Sequence, residues 1–81
     1  MKILLVEDNA LTRSTIKDLL VKLGHEVVAE AETGEKAVEY FAEFKPEVVF
    51  LDIILPGKSG LEALEEILEL DPQARVVVIT A

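Results

Sequence analysis

The feature that most constrains this chain is the alternation of short apolar runs with longer amphipathic segments. The runs have strand length and are rich in Val, Ile and Leu. They are KILLVE (2–7), EVVAEA (26–31), EVVFLD (47–52) and ARVVVITA (74–81). Nearly continuous apolar runs are typical of strands buried on both faces of a parallel sheet. The sequence therefore favours a sheet whose strands are connected by crossover helices.

The segments between the runs carry apolar residues at helical spacing. They are 10–24, 33–44 and 60–70. Asn9 and Thr33 are suited to cap the first two helices, Gly24 to end the first and Pro46 to end the second. The resulting order, βαβαβαβ, predicts an α/β fold with helices on both sheet faces and right-handed crossovers. At 81 residues we expect a single domain, 1–81.

Charge and composition exclude several classes. The chain has 16 acidic and 8 basic residues, a net charge of −8, which argues against a nucleic-acid binder and is compatible with a cation site, a basic partner or simply solubility. It has no cysteine, so disulfides and thiolate metal sites are excluded. The apolar run at the start is too short for a signal peptide or membrane span, and we expect a cytoplasmic protein without membrane contact.

Polar residues fall where the predicted strands end. Glu7 and Asp8 end the first strand, Asp52 the third and Thr80 the fourth. In open parallel sheets, function gathers at the carboxyl ends of strands. If the second strand lies outside the first, three carboxylates converge and repel one another unless a cation neutralises them. Mg²⁺, a hard cation that takes oxygen ligands, fits this role.

Simpler interpretations stay open for each residue. Asp52 can end a strand only because strands end at water, Glu7 or Asp8 can cap the following helix, and Thr80 suits a strand as a β-branched residue. The joint pattern favours a working site.

The loop after Asp52 supports that interpretation. Pro56 fixes one backbone angle, whereas Gly57 and Gly60 permit a sharp turn beside the acid. A backbone carbonyl of this loop, that of Ile54, is a candidate further metal ligand. An ordinary strand-to-helix loop is the alternative.

Together, ILLVED, VVFLDIILPGKSG and VVVITA resemble the receiver domain of two-component response regulators, the family that includes the chemotaxis regulators. The resemblance implies a flavodoxin-like doubly wound sheet with strand order 2-1-3-4-5. It implies that Asp52 accepts a phosphoryl group from a phosphohistidine of a sensor histidine kinase, and that Thr80 hydrogen-bonds this group as a switch. Four positions would hold Mg²⁺: Glu7, Asp8, Asp52 and the carbonyl of Ile54.

The sequence departs from the family pattern in three respects. Glu7 stands where the family more often has Asp, and Leu55 where Met is common. The chain also stops after the fourth strand, whereas the family continues through a fourth helix, a fifth strand with its phosphate-binding lysine and a fifth helix. We therefore expect a truncated receiver with strand order 2-1-3-4 and weak phosphorylation. Lys58 cannot replace that lysine, and we expect it to be solvated.

Two functions compete at this point. The first is a signalling phosphoacceptor module that is not an enzyme. The second is a receiver-derived structural module that folds by self-association, because the apolar fourth strand would form an exposed sheet edge. A hydrolase is disfavoured because His25 lies away from the acids, and the turn EDNAL lacks the glycines of a nucleotide-binding loop.

Overall fold

The computed structural model describes residues 1–79. They form four strands and three helices in the predicted order, βαβαβαβ. The strands are β1 (Lys2–Val6), β2 (Glu26–Ala31), β3 (Val48–Asp52) and β4 (Val76–Ile79), and the helices are α1 (Ala10–Lys22), α2 (Gly34–Phe44) and α3 (Gly60–Leu70). Within this described part, no helix is long and apolar enough to cross a membrane. Thr80 and Ala81 lie outside the described residues.

The strands form one parallel sheet in the order β2-β1-β3-β4, which confirms the predicted arrangement. Because β1 and β3 are neighbours, their carboxyl ends lie side by side. The pairing of β1 with β2 contains one irregularity: Ile3 pairs with Val27, but Leu4 pairs with Ala29. Val28 is thus an extra residue in β2, a bulge in an otherwise regular ladder.

One face of the sheet carries two helices, and we call it the two-helix face. Side chains of α2 and α3 pack there against all of the first three strands in one buried cluster. Its buried members are Leu4, Val6, Ala31, Ala37, Phe41, Val49, Leu51, Ala63 and Ile67. The alternation of side chains along each strand selects these residues for this face.

Among the described residues 1–79, α1 is the one helix on the opposite face, which we call the one-helix face. Its buried cluster has three members, Ile3, Leu20 and Val48, with Ile16, Val27 and Phe50 partly buried around them. A single helix covers less of a four-stranded sheet than two do. The smaller cluster on this face follows from that geometry.

The helix ends agree with the capping residues of the sequence. Asn9 and Thr33 accept hydrogen bonds from backbone N–H groups three residues on, as N-caps do. Ser59 caps α3 in a reciprocal capping box with Glu62, which the pattern Ser-x-x-Glu contains. The first helix ends two residues before Gly24, which adopts a positive φ of 89° just beyond it.

Candidate metal-binding and phosphoacceptor site

Glu7 directly follows the last residue of β1 and is a buried acid. Its backbone N–H donates to the carbonyl of Ala31 at 3.0 Å, so the sheet fixes its main chain. Its Oε2 accepts a hydrogen bond from the backbone N–H of Asn9 at 3.0 Å. At 5% exposure, Glu7 is not simply a solvent-exposed acid at the end of a strand. The cap of α1 is Asn9, so neither Glu7 nor Asp8 serves as the N-cap.

Asp52 is the last residue of β3 and is buried as well, at 4% exposure. Its Oδ1 accepts a hydrogen bond from the backbone N–H of Ile54 at 3.0 Å. This bond closes a tight turn immediately after the strand. The turn fixes the orientation of the Asp52 carboxylate relative to the sheet.

The three predicted acids converge. Glu7, Asp8 and Asp52 each place a carboxylate oxygen so that these atoms all lie within 4.8 Å of one another. Asp8 is the exposed member, whereas the other two are buried. The convergence follows from the strand order, since β1 and β3 are adjacent and parallel.

The cluster carries an electrostatic cost. Burial raises the pKa of Glu7, the Asn9 N–H partly counters this, and the neighbouring carboxylates of Asp8 and Asp52 raise the pKa further. A raised carboxyl pKa means that the charged form is disfavoured in the folded protein. A bound cation would relieve this cost.

The chemistry of the donor set fits a hard divalent cation. The hydrogen bonds from Asn9 and Ile54 use one oxygen each of Glu7 and Asp52, which leaves the second oxygen of each available for ligation. Mg²⁺ is usually held by one or two carboxylates together with water and phosphate oxygens. Ile54 lies in the same turn as Asp52, and its carbonyl stays a predicted ligand. The predicted role of Thr80 falls outside the described residues.

Gly60 allows α3 to begin directly against the site. Its backbone N–H donates to the carbonyl of Ile53 at 3.0 Å. A Cβ at this position would lie 2.3 Å from the carbonyl oxygen of Asp52 and 2.3 Å from the Cα of Ile53. Only glycine permits so close an approach, so the turn after Asp52 depends on this residue.

Lys58, which we expected to be solvated, is partly exposed. Its side chain is only 24% exposed and pairs with Glu66 on α3, and this hydrogen bond raises its pKa. Its backbone N–H donates to Oε1 of Glu35 at 3.1 Å. The pKa of Glu35 is lowered first by a hydrogen bond from its own backbone N–H and next by this one from Lys58. At Gly34, a Cβ would lie 2.2 Å from the Lys58 carbonyl. The first turn of α2 therefore braces the loop that follows Asp52.

Arg13 is a residue near the site that the sequence did not reveal. Its Nη1 donates to the backbone carbonyl of Glu7 at 2.8 Å, and it also pairs with Glu30 and Glu32. No local motif marks it, because its partners lie at the ends of two strands, and two of them, Glu30 and Glu32, are far from it in sequence.

Two other features lie away from the carboxylates. A cavity of about 460 Å³ opens beyond the carboxyl ends of α2 and α3, where Phe41, Lys45 and Asp71 are among its lining residues. His25 lies within 3.2 Å of the amino group of Met1, at the start of the sheet. Neither feature adds a group to the acidic cluster.

Comparisons with known proteins agree with this geometry. The family model described as the response regulator receiver domain matches residues 3–81. The chemotaxis protein CheY of Bacillus subtilis is 50% identical over 80 residues, which cover 99% of this chain and 67% of that protein.

Solved structures show the same fold. The response regulator domain of Thermotoga maritima CheB has a TM-score of 0.93 at 36% identity, with 99% of this chain and 60% of that chain covered. A chain of the CheX–CheY–BeF3–Mg²⁺ complex of Borrelia burgdorferi has a TM-score of 0.92 at 29% identity, with 100% of this chain and 62% of that chain covered. The chain thus spans about two thirds of the length of its CheY relative and less of these structures. With a family model that matches almost every residue and a chemotaxis regulator that is identical at half the aligned positions, this chain belongs to the response regulator receiver domain family.

Proposed function

We propose that this chain is a phosphoacceptor module of a two-component signalling system, in which Asp52 receives a phosphoryl group from a sensor histidine kinase. The observation that carries the proposal is the convergence of Glu7, Asp8 and Asp52 within 4.8 Å at the carboxyl ends of β1 and β3. Membership of the receiver family supports it. We also propose that residues 1–81 belong to one receiver domain and act in the cytoplasm.

In the proposed step, an oxygen of Asp52 attacks the phosphorus of a phosphohistidine. A P–O bond forms as the P–N bond breaks, and the imidazole leaves with the electron pair, so that an aspartyl phosphate results. The turn closed by the Ile54 N–H orients the carboxylate for this attack. Because the module carries the phosphoryl group and does not release it to a substrate of its own, it is a signalling component and not an enzyme.

Glu7, Asp8, Asp52 and the carbonyl of Ile54 would hold Mg²⁺. When bound, Mg²⁺ neutralises negative charge on the transferring phosphoryl group and on the acids. Glu7 and Asp52 are held by backbone hydrogen bonds, so they keep their positions without the ion. The role expected of Thr80, a hydrogen bond to the phosphoryl group, stays a prediction.

The test is incubation of the chain with Mg²⁺ and acetyl phosphate, followed by mass spectrometry. We expect a mass gain of one phosphoryl group in the wild type and none in Asp52→Asn. Asp18→Asn, an exposed aspartate on α1, is the matched control and should gain the group like the wild type. No gain in the wild type, or an undiminished gain in Asp52→Asn, would overturn the proposal.

A second candidate function is assembly by self-association. Exposed apolar side chains on β4 favour it, since Val77 and Val78 are each 44% exposed. Strand edges with such residues pair readily with another copy. Sedimentation at micromolar concentration should show a dimer or larger species in the wild type and a shift towards monomer in Val77→Lys. A single monomeric species in the wild type would exclude this candidate.

A further inference from the structure

Arg13 lies one turn into α1 and is largely enclosed, with its side chain 14% exposed. Its guanidinium reaches three partners. Nη1 donates to the carbonyl of Glu7 at 2.8 Å, Nη2 to Oε1 of Glu32 at 3.2 Å, and Nε pairs with Oε1 of Glu30 at 3.3 Å. One side chain therefore ties the ends of β1 and β2 to α1.

The contact between Arg13 and the Glu7 carbonyl occurs where the chain leaves the sheet. The last β1–β2 ladder bond at this end of β1 is made by the Glu7 N–H, after which the chain leaves the sheet. Its carbonyl then depends on a side-chain donor. Asn9 meanwhile holds the carboxylate of the same residue. The N-cap residue Asn9 thus fixes the side chain of Glu7, and Arg13 in the first turns of α1 fixes its main chain.

The charge of Arg13 is balanced locally. Glu30 and Glu32 oppose it, and Lys17 shares Glu30 through a contact of 3.1 Å. Two cations and two carboxylates form this network. Its sum is neutral, so the network itself adds little field at the acidic cluster.

We propose that Arg13 is the positioning residue of the metal site and holds the Glu7 carbonyl so that the Glu7 carboxylate faces Asp8 and Asp52. The inference rests on the proposed function, because it assumes that these acids bind Mg²⁺. A guanidinium suits this role, since its planar fork of donors can serve several acceptors at fixed angles. An ammonium group at the same place offers a single centre.

A role through charge and a role through positioning predict opposite effects of Arg13→Met on Mg²⁺ affinity. If Arg13 acted only through its charge, Arg13→Met would leave Lys17 alone opposite Glu30 and Glu32, and the one excess negative charge would tighten Mg²⁺ binding. If Arg13 positions Glu7, the same substitution weakens binding. Groups that orient metal ligands typically change metal affinity by about 10- to 100-fold when they are removed.

The experiment is calorimetric titration of the full 81-residue chain with Mg²⁺ as wild type, Arg13→Met, Arg13→Lys and Arg75→Met. We expect Kd to rise about 10-fold or more in Arg13→Met and to rise by a smaller factor in Arg13→Lys, which keeps the charge but not the fork. Arg75→Met removes an exposed arginine with the same change of net charge and should leave Kd within about twofold of the wild type.

Thermal unfolding without Mg²⁺ separates positioning from stability. A purely structural role would lower the melting temperature of the Arg13 variants and leave the Kd of the folded protein unchanged, which would overturn the proposal. Unchanged or tighter binding in both Arg13 variants would overturn it too. Should Arg13→Met fail to fold, the Kd of Arg13→Lys for Mg²⁺ decides whether the proposal stands. Absence of Mg²⁺ binding in the wild type would instead overturn the metal site itself.

Discussion

The two faces of the sheet differ in how much they bury and in what they hold. The buried cluster of the two-helix face has nine members, whereas that of the one-helix face has three. Both faces nevertheless reach the acidic site. Through Asn9 and Arg13, α1 holds Glu7, whereas Gly60 and the Glu35–Lys58 contact hold the loop after Asp52. The burial that stabilises the fold is thus concentrated on one face, while support of the site is shared by both.

The largest expected difference between the faces is in the cost of a core truncation. Ile67, fully buried on the two-helix face, should lose about 3–5 kcal/mol of unfolding free energy as Ile67→Ala. Leu20→Ala on the one-helix face should lose about 2–3 kcal/mol, because the thinner layer relaxes more easily. Urea unfolding followed by circular dichroism measures both. An equal loss, or a larger one at Leu20, would break the distinction between the faces.

Gly60 offers a test of how the two-helix face holds the turn after Asp52. Gly60→Ala forces a Cβ against the carbonyl of Asp52, and we expect a loss of roughly 2–3 kcal/mol, as in other overpacked sites. Mg²⁺ binding should weaken as well, since the turn after Asp52 must shift. Leu61→Ala, at the exposed neighbouring position, should change neither quantity appreciably. Normal stability and Mg²⁺ affinity in Gly60→Ala would contradict the close contact.

Glu7→Gln tests how much the repulsion among the three carboxylates, a site that both faces support, destabilises the fold. It keeps an oxygen for the Asn9 N–H but removes one of three converging charges, so the metal-free protein should gain about 1 kcal/mol of unfolding free energy, the scale of one close charge pair in water.

The pH dependence of that gain has a defined sign. Because the pKa of Glu7 is raised in the folded protein, its ionisation destabilises the fold as pH rises through that pKa, and acidification removes the cost. The gain in Glu7→Gln should therefore appear at neutral pH and fade at acidic pH. Glu69→Gln, an exposed acid on α3, is the control and should show no such gain. If Glu7→Gln had a lower unfolding free energy than the wild type, the three carboxylates would not repel one another on balance.

The smallest expected effect is on the outer surface of α1. Leu11 is 78% exposed, so Leu11→Gln should change the unfolding free energy by less than about 0.5 kcal/mol. Chemical denaturation at low protein concentration measures this. A loss of more than about 1 kcal/mol would mean that Leu11 is covered in solution.

The sequence was sufficient for the features that depend on local pattern or strand order. The seven elements, the caps at Asn9 and Thr33 and the convergence of Glu7, Asp8 and Asp52 follow from apolar periodicity and from the geometry of parallel sheets. The Arg13 network and the Lys58–Glu66 pair were not predictable in this way. Each depends on contacts between side chains of different elements, for which a single sequence contains no periodic signal.

The bulge at Val28 has a consequence for the length of the chain. Val27 packs on the one-helix face, Glu30 meets Arg13 on that same side, and Ala29 packs on the other face. Residues 27 and 30 share a side only because Val28 is extra. Removal of Val28 alone would leave a regular strand in which the residues on either side keep their present partners in β1. The second strand is therefore a place where this fold can lose one residue while the acidic site stays intact.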